Sequence, residues 1–480
     1  MKRILIFSLC LITWIASEAQ SALALPEVIA LAQGKSIAAR QAKTLKTTQY
    51  WQYRSFLANY RPQITWSGSL PSFTRATKEV VQPDGSIAFQ SISQNNAWTE
   101  VALSQQIVAT GATLYLASSL QRFDNLALNS TLYNSAPLQI GFRQPLFAFN
   151  PLKWDKKIEP LKYRESQQAY LYNQESIGLS ALAYFFELMV AQINRQIAQT
   201  NVVNTDTIYQ ITLQKYELGK ISRNDLLQLQ LEKLKAEKAL AIAEQDVETA
   251  HLQLTSFIGY GREQGFELRL PTELPDMDIP VEQALKQARD NRPEAIGFQR
   301  RSLEAERDIA EAKGETGLSM NLIGSLGWNK SGNRLADTYR QPEDQQGLLL
   351  EFSTPIVDWG RTKARRETAK ARQAFVESEI EQDQQDFEQE LLTQITLFTQ
   401  YQRQVSLNQE VDELAQLRYQ IAQDRFLLGN LSITDLSLAI QEKDQARRDY
   451  VQALWNFWRT HYAIRQLTLF DFLSHQKITY

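Results

Sequence analysis

Apolar residues recur at helical spacing along two long stretches of the chain. The first covers residues 151–219 and the second covers residues 361–429, so each advances 68 positions along the sequence. At about 1.5 Å per residue, each helix would extend roughly 100 Å, which is far more than a globular domain needs. Helices of this length must be sheathed by other helices or bundled between chains.

Four shorter helices are predicted beside the long ones. Two return helices cover residues 222 to about 258 and 432 to about 469, and two further helices cover residues 26 to about 60 and 280 to about 313. A return helix and a further helix, placed end to end, would reach on the order of 110 Å. The pattern predicts one long helix packed against two stacked short ones, with this unit used twice.

Four other segments alternate apolar and polar residues, which is the period of a β-strand with one wet face. They cover residues 63–70, 138–147, 318–328 and 348–357. Each has roughly the 10 residues that a tilted strand needs to cross a bilayer. A soluble four-stranded sheet is the alternative, but such a sheet has no need for long helices attached to its strands. Four strands cannot close a barrel and open edges are not tolerated in hydrocarbon, so several copies must share one barrel.

Two charged residues lie on the polar faces of these strands. Arg143 belongs to the segment 138–147 and Glu351 to the segment 348–357. We expect both side chains to line the lumen of the barrel, and an unpaired role at the barrel mouth fits the same positions equally well.

One short segment of the sequence is duplicated. Residues 216–226 recur as residues 426–436, displaced by 210 positions, so that the members of one copy match those of the other: Gly219 with Gly429, Ser222 with Ser432, and Asp225 with Asp435. Glycine can take the positive φ that ends a helix, and a serine three residues later can cap a helix that begins at once. Each copy therefore predicts the bend of a helical hairpin, and about half of the chain is a repeat.

The strands give a second, larger offset. The sequence Gly-Ser-Leu occurs at residues 68 and 324, an offset of 256, so the first connecting segment is 46 residues longer than its counterpart. This segment, about residues 71–137, contains a turn signal at 82–85 and an alternating stretch that begins at Val101. It is either an extracellular flap or an extra hairpin that extends the barrel wall, and we favour the flap.

The N-terminus reads as a secretory signal peptide over residues 1–24. Two basic residues precede an apolar run over residues 4–15, and small residues follow, with cleavage expected after Ala19 or Ala24. The single cysteine, Cys10, lies in that run. After residue 25, we expect no segment to approach the ~18 to 20 apolar residues of a membrane-spanning helix. The mature chain is expected to comprise a first repeat (25–258), a linker (259–278), a second repeat (279–470) and a tail (471–480).

Charge and motifs exclude several other functions. The net charge of −3 argues against a nucleic-acid partner. The three histidines, His251, His461 and His475, are not at metal-ligand spacing, and the sequence contains no Gly-rich phosphate loop, nucleophile elbow or zinc signature. We therefore expect no enzyme activity, no cofactor and no metal. Aromatic residues at 455, 457, 458 and 462 of the last helix are expected to pack beside the linker rather than to bind a ligand.

Taken together, these motifs resemble the outer-membrane efflux protein family typified by TolC. The resemblance is carried by the two Gly-x-x-Ser-x-x-Asp-Leu bends, by Gln144-Pro145-Leu146-Phe147 with its echo Thr354-Pro355-Ile356-Val357, and by the helical opening Leu25-Pro26-Glu27. It covers essentially the whole mature chain. It implies an outer-membrane protein, mainly α-helical with transmembrane β-strands. In such a protein, three copies with four strands each form a twelve-stranded barrel that continues into a long periplasmic α-helical barrel.

The resemblance also implies a function and its partners. The expected function is a passive exit duct of a tripartite efflux or type I secretion system, which docks to a periplasmic adaptor and, through it, to an inner-membrane pump of the RND or ABC type. In the family, the hairpin bends meet the adaptor, which assigns this role to Gly219, Ser222, Asp225, Gly429, Ser432 and Asp435. A soluble periplasmic coiled-coil scaffold is the competing hypothesis.

The aspartates of the bends have two possible roles. Asp435, in threefold copies, would form a ring of negative charge that favours cations. Asp225 and Asp435 are also placed to stabilise the first turn of the return helices, and the two roles are compatible. Some family members carry a second acidic residue three positions later, where this chain has Leu438, so we expect no paired acidic constriction here.

Overall fold

The computed structural model describes residues 22–260, 266–275 and 277–479. The signal peptide predicted at residues 1–24 lies, as far as residue 21, outside the described residues. The chain divides into two compact units, of which the first comprises Met1–Thr44, Ala169–Arg292 and Phe387–Tyr480, and the second Leu45–Gln168 and Pro293–Asp386. Each unit draws on both predicted repeats.

The helices reproduce the predicted duplication. Their bounds in the described residues are α1 Leu25–Lys35, α2 Ile37–Asn59, α3 Pro151–Glu217, α4 Arg223–Ile258, α5 Val281–Asn291, α6 Pro293–Glu315, α7 Arg361–Leu427 and α8 Ile433–Thr468. The two long helices, α3 and α7, have 67 residues each and begin 210 positions apart, at Pro151 and Arg361. The prediction of two long helices with shorter return helices is confirmed.

The two further helices are each broken in two, which corrects the prediction of continuous helices over 26–60 and 280–313. The breaks fall at Ser36 and Arg292, which are 256 positions apart. This is the same offset as that of the Gly-Ser-Leu sequences at residues 68 and 324. Arg292 is extended because the ring of Pro293 disfavours helical geometry in the residue before it. Ser36 caps the second piece, since its Oγ accepts a hydrogen bond of 3.0 Å from the backbone N of Ala39.

The second unit contains an antiparallel sheet of seven strands. The strands are β1 Gln63–Ser69, β2 Phe73–Val81, β3 Ile87–Ile107, β4 Ala112–Asn125, β5 Ser130–Leu146, β6 Ser319–Gly332 and β7 Glu343–Ser353. They are ordered β1-β3-β4-β5-β6-β7, and β2 also pairs with β3. The four predicted strands are present as β1, β5, β6 and β7, and the sheet contains β2, β3 and β4 in addition.

The segment at about 71–137 is where the structure departs from the sequence prediction. The preference for a flap is wrong for most of this segment, because β3 and β4 lie in the sheet between β1 and β5. Only β2 and residues 87–93 of β3 extend past β4, whose last residue pairs with Gln94. The β3–β4 hairpin instead extends the sheet.

The sheet has one apolar and one polar face. In one cross-strand row of the apolar face, five of the six residues are apolar: Ile64, Leu103, Leu116, Ile140, Leu326 and Gln346. The neighbouring row, on the polar face, carries small or polar side chains: Thr65, Ala102, Ala117, Gln139, Gly327 and Gln345. Because successive side chains of a strand point to opposite faces, each of these six strands contributes residues to both faces of the sheet.

The first unit is built on a helical core. Its fully buried residues include Leu182, Phe185 and Phe186 of α3, which pack with buried residues of α1, α4, α5, α7 and α8. An 18-residue window of α3 has a mean hydropathy of 1.5, so a stretch of this helix is apolar enough to cross a membrane, contrary to the sequence expectation. Half of that window is buried inside the protein, as in the core helix of a soluble unit.

The aromatic residues of α8 pack beside the linker, as predicted. Trp458 Nε1 donates a hydrogen bond of 3.2 Å to the carbonyl of Pro271, and Phe266 and Leu268 of the linker are buried in the same core. Leu268 makes a single bridge with Leu23. The described part of the linker is therefore held against the helices by burial, and its backbone forms hydrogen bonds with Leu23, just before α1.

His461 is buried among these aromatic residues. Its ring lies 5.7 Å from that of Trp458 and 5.2 Å from that of Tyr462, between ring centroids. Burial lowers the pKa of His461 from 6.5 to about 4, because the charged imidazolium loses its hydration, and the positive charge of Arg465 acts in the same direction.

This shift predicts an acid-sensitive contribution to stability. Between about pH 6.5 and pH 4 the unfolded chain binds a proton at His461 that the folded chain does not, so the contribution is complete above pH 6.5 and is lost as the pH falls towards 4. It amounts to on the order of 3 kcal/mol for each chain. His461→Phe should reduce the fall in melting temperature between pH 7 and pH 4.5, measured by circular dichroism in detergent.

His475→Asn is the matched control, because His475 is exposed and asparagine tolerates its positive φ of 52°. This variant should keep the acid dependence of the parent. An unchanged acid dependence in His461→Phe would contradict the account of His461.

Candidate functional site

The two helix bends have the same backbone geometry. Gly219 follows α3 with a φ of +68° and Gly429 follows α7 with a φ of +80°. In both bends the glycine N–H donates to a carbonyl three residues earlier, at 2.8 and 3.0 Å, and the next N–H donates to a carbonyl five residues earlier, at 2.9 Å. These are the paired hydrogen bonds of a Schellman motif. Among the described residues, no atom lies within 4 Å of where a Cβ would stand at either position, so glycine is required for its φ alone.

A serine caps the helix that follows each bend. Ser222 Oγ accepts a hydrogen bond of 3.2 Å from the backbone N of Asp225, and Ser432 Oγ accepts one of 3.1 Å from the backbone N of Asp435. The prediction that each serine caps its return helix is confirmed. The second bend has one more interaction, since the Ser432 hydroxyl donates to Asp435 Oδ2 at 2.6 Å.

Both aspartates occupy the first turn of a return helix, where a negative charge opposes the positive end of the helix dipole. The capping position expected from the sequence is therefore present in both bends. Asp435 and Leu438, three residues later, are both exposed. The exposed carboxylate of Asp435 remains compatible with the second predicted role, a ring of charge.

Apolar side chains are exposed beside the bends. Leu218 is 70% exposed and Leu428 is 76% exposed, and these two residues occupy equivalent positions immediately before the glycines. A small cluster behind them is buried: Ile208, Leu229, Tyr419, Phe426 and Leu436. Each bend thus exposes one leucine to solvent, next to a cluster of buried side chains.

A polar cluster, which we call the clasp, connects three helices of the first unit. It consists of Asn201, Asn204, Tyr419, Lys443 and Asp444. Asn201 Nδ2 of α3 donates to Asp444 Oδ2 of α8 at 2.6 Å, and Asn204 Nδ2 of α3 donates to the hydroxyl of Tyr419 of α7 at 2.8 Å. Lys443 Nζ lies 3.1 Å from Asp444 Oδ1 and 4.5 Å from the ring centre of Tyr419.

The clasp is largely buried, with Lys443 and Asp444 only 8% and 6% exposed. Burial raises the pKa of Tyr419, and the nearby charge of Asp444 adds to the effect. Sequence reasoning did not find these residues. Their only sequence signal was a polar residue at a core-facing position of a helix, which alone does not identify a partner more than 200 positions away.

Arg143 and Glu351 both lie on the polar face of the sheet. Arg143 pairs with Thr113 and Ile323 across the neighbouring strands, and Glu351 pairs with Asn321. Both side chains are exposed. Within the described residues, no group of three or more His, Cys, Asp or Glu side chains is arranged to hold a metal ion.

Comparison with known proteins identifies the family. The model of a family described as "Outer membrane efflux protein" matches residues 94–260 and 284–468. The chain belongs to this family. It is therefore an outer-membrane protein with a helical part in the periplasm, and the soluble scaffold considered from the sequence is wrong.

Individual relatives agree with this assignment. The pyoverdine export outer membrane protein OpmQ of Pseudomonas aeruginosa is 24% identical over 258 residues, which cover 52% of this chain and 51% of OpmQ. The match thus spans about half the length of that curated relative.

Solved structures of outer membrane channels share the fold. The CmeC outer membrane channel of Campylobacter jejuni superimposes with a TM-score of 0.67 at 15% identity, covering 92% of this chain and 85% of CmeC. The MtrE outer membrane channel of Neisseria gonorrhoeae gives 0.64 at 16% identity, covering 95% of this chain and 91% of MtrE. Both neighbours are described as outer membrane channels.

The serine caps generate a testable prediction. Ser432→Ala removes the acceptor for the Asp435 N–H and should weaken the first turn of α8 by about 1 kcal/mol. Amides of that turn should then exchange with deuterium roughly fivefold faster, as measured by mass spectrometry. Ser406→Ala, at an exposed position within α7, is the control and should leave exchange in α8 unchanged. Unchanged exchange in Ser432→Ala would contradict the capping role.

Proposed function

We propose that this protein is the exit duct of a tripartite efflux or type I secretion system, in which a homotrimer passively conducts small molecules or proteins across the outer membrane. The observation that carries the proposal is the two-faced sheet. Its apolar face suits lipid, since Ile64, Ile140 and Leu326 are each more than half exposed on it. Its polar face suits a water-filled lumen, which Arg143 and Glu351 would line.

The open edges of the sheet support assembly. Within the described residues, β1 and β7 each pair on one side only. An unpaired strand edge is too costly in hydrocarbon, so the edges must meet those of other copies. Three copies is the number that the resemblance to the TolC-like family implies.

Exposed apolar stripes on the helices support the same assembly. Leu227, Leu231 and Leu234 of α4 are each more than half exposed, although they recur at heptad spacing. On α7, Val411, Leu414 and Ile421 form a second such stripe. Helices of neighbouring copies would bury both stripes, as in a coiled coil.

The bends are the proposed docking site for a periplasmic adaptor. The six residues that we assign to docking are Gly219, Ser222, Asp225, Gly429, Ser432 and Asp435. The exposed Leu218 and Leu428 would add apolar contact to this surface. The adaptor would connect the duct to an inner-membrane pump of the RND or ABC type, and that pump would select the cargo. Outer-membrane lipid is the remaining partner.

The clasp is suited to hold a closed state. Asn201 and Asn204 of α3 donate hydrogen bonds to Asp444 and Tyr419, so the α7–α8 hairpin cannot move away from α3 without breaking two partly buried hydrogen bonds. Opening would follow from a small change in the packing of these helices, because packed interfaces favour discrete arrangements. Adaptor docking at the bends would supply the free energy for that change.

The function is tested by fractionation and by conductance. The protein should be recovered from outer membranes as a crosslinkable trimer, and purified protein should produce single-channel conductance in planar bilayers. Recovery as a soluble periplasmic monomer would overturn the proposal.

The docking role is tested at Gly429. Gly429→Pro fixes φ near −65° and removes the N–H that bonds the Phe426 carbonyl, so the bend cannot form. Adaptor crosslinking and export from cells should both be lost while the trimer remains.

Gly429→Asn is the matched control, because asparagine tolerates a positive φ. This variant should retain both adaptor crosslinking and export. Full export by Gly429→Pro would count against the docking role of the bend.

A further inference from the structure

The β3–β4 hairpin is constructed like the rest of the sheet. Leu103 and Leu116 face each other across the two strands, and they continue the apolar row between Ile64 and Ile140. The next residues of these strands, Ala102 and Ala117, continue the polar row. The hairpin therefore repeats the lipid-facing and water-facing alternation of its neighbours, which a loop outside the membrane would not need.

The hairpin also spans the full height of the sheet. Its β3–β4 turn lies at the edge where β5 leads into α3, and it is fastened there by side chains of the flanking segments. Gln144 Nε2 donates to the carbonyl of Thr110 and Asn150 Nδ2 donates to the carbonyl of Val108, both at 2.9 Å. Gln105 Nε2 donates to the carbonyl of Tyr60, at the end of α2, at 3.0 Å. A hairpin that projected from the membrane could not reach these partners.

Side-chain packing fixes the hairpin against β5. Tyr115 of β4 lies over Gly141 of β5, and a Cβ at Gly141 would stand 2.3 Å from the tyrosine ring. Glycine at this position therefore makes room for a side chain from the inserted hairpin. The fit between these two residues indicates that β4 and β5 are specifically paired neighbours.

We propose that the β3–β4 hairpin crosses the outer membrane as part of the pore wall and that lipid covers its apolar face. Each chain then contributes six strands, namely β1 and β3 to β7. This inference rests on the proposed duct function. Three chains with six strands each give eighteen strands, instead of the twelve that the resemblance implies. With strands ~4.8 Å apart and tilted by ~40°, the backbone diameter rises from about 24 Å to about 36 Å. The membrane exit would then admit a bulkier cargo, such as a large peptide or a polypeptide segment.

Single cysteines test whether the hairpin contacts lipid. In a Cys10→Ala background, Leu116→Cys and Ser119→Cys place fluorophores on the two faces of β4, because Ser119 is partly exposed on the polar face. The Leu116→Cys probe should be quenched by nitroxide-labelled lipids, and the Ser119→Cys probe should be quenched only by a water-soluble agent. If both probes are quenched from water and neither from lipid, the hairpin lies outside the membrane and the proposal is wrong.

Paired cysteines test the order of the strands. Thr65→Cys with Ala102→Cys should form a disulfide on mild oxidation, as should Ala117→Cys with Gln139→Cys, because each pair is directly opposed on neighbouring strands. Thr65→Cys with Gln139→Cys is the control, because two strands separate these positions and no disulfide should form. A disulfide in the control pair alone would show that β1 adjoins β5 and would overturn the proposal.

The diameter of the assembled barrel gives an independent measurement. Electron cryo-microscopy should show eighteen strands and a backbone diameter of about 36 Å at the membrane level. A twelve-stranded barrel would contradict the inference. None of these measurements depends on export, so a chain that met them all without exporting any cargo would refute the proposed function and leave this inference standing.

Discussion

Backbone hydrogen bonding in hydrocarbon is the constraint on which this structure depends. A strand in a bilayer has no water to satisfy its N–H and C=O groups, so each group must bond another strand. The sheet meets this requirement along its interior and leaves the outer sides of β1 and β7 open in the described residues. A single chain therefore cannot be stable as a membrane wall, and the alternation of its two faces has a purpose only when copies close into a ring.

The helices also favour assembly of several copies, through burial of apolar surface rather than through backbone hydrogen bonds. The core of the first unit buries side chains such as Phe185 and Phe457, yet heptad-spaced apolar residues on α4 and α7 remain exposed. Burial of these stripes between copies would stabilise the same assembly that pairing of the strand edges requires. The clasp then adds directional bonds to this apolar packing, so that one arrangement of the hairpins is preferred without being permanent.

The sequence predicts the parts of this fold that local chemistry controls. The bends were predictable because a positive φ at Gly429 and a cap at Ser432 are properties of a few adjacent residues. The helix break at Arg292 had a local signal in Pro293, whereas the break at Ser36 depends on a serine that is common in other contexts. The length of α3 and α7 followed from helical spacing over 67 residues in each, which Pro160 near the start of α3 does not end.

The sequence does not predict which strands become neighbours. Alternation from Val101 identified a strand, but which strands become neighbours is decided by contacts between distant residues, such as Tyr115 of β4 with Gly141 of β5. The clasp was missed for a similar reason, since Asn201 and Asp444 meet only when two helices have the correct rotation. Long-range pairing of this kind depends on the whole fold rather than on local pattern.

The central claim is that strand edges pair between chains, and crosslinking across that junction tests it most directly. Ser67→Cys on β1 would be combined in turn with cysteines replacing Gln345, Gly347, Leu349 and Glu351, the alternate residues of β7 on the polar face. The account predicts that at least one combination yields covalent trimers in outer membranes, through disulfides between different chains. Disulfides confined to single chains, or none in any combination, would contradict it.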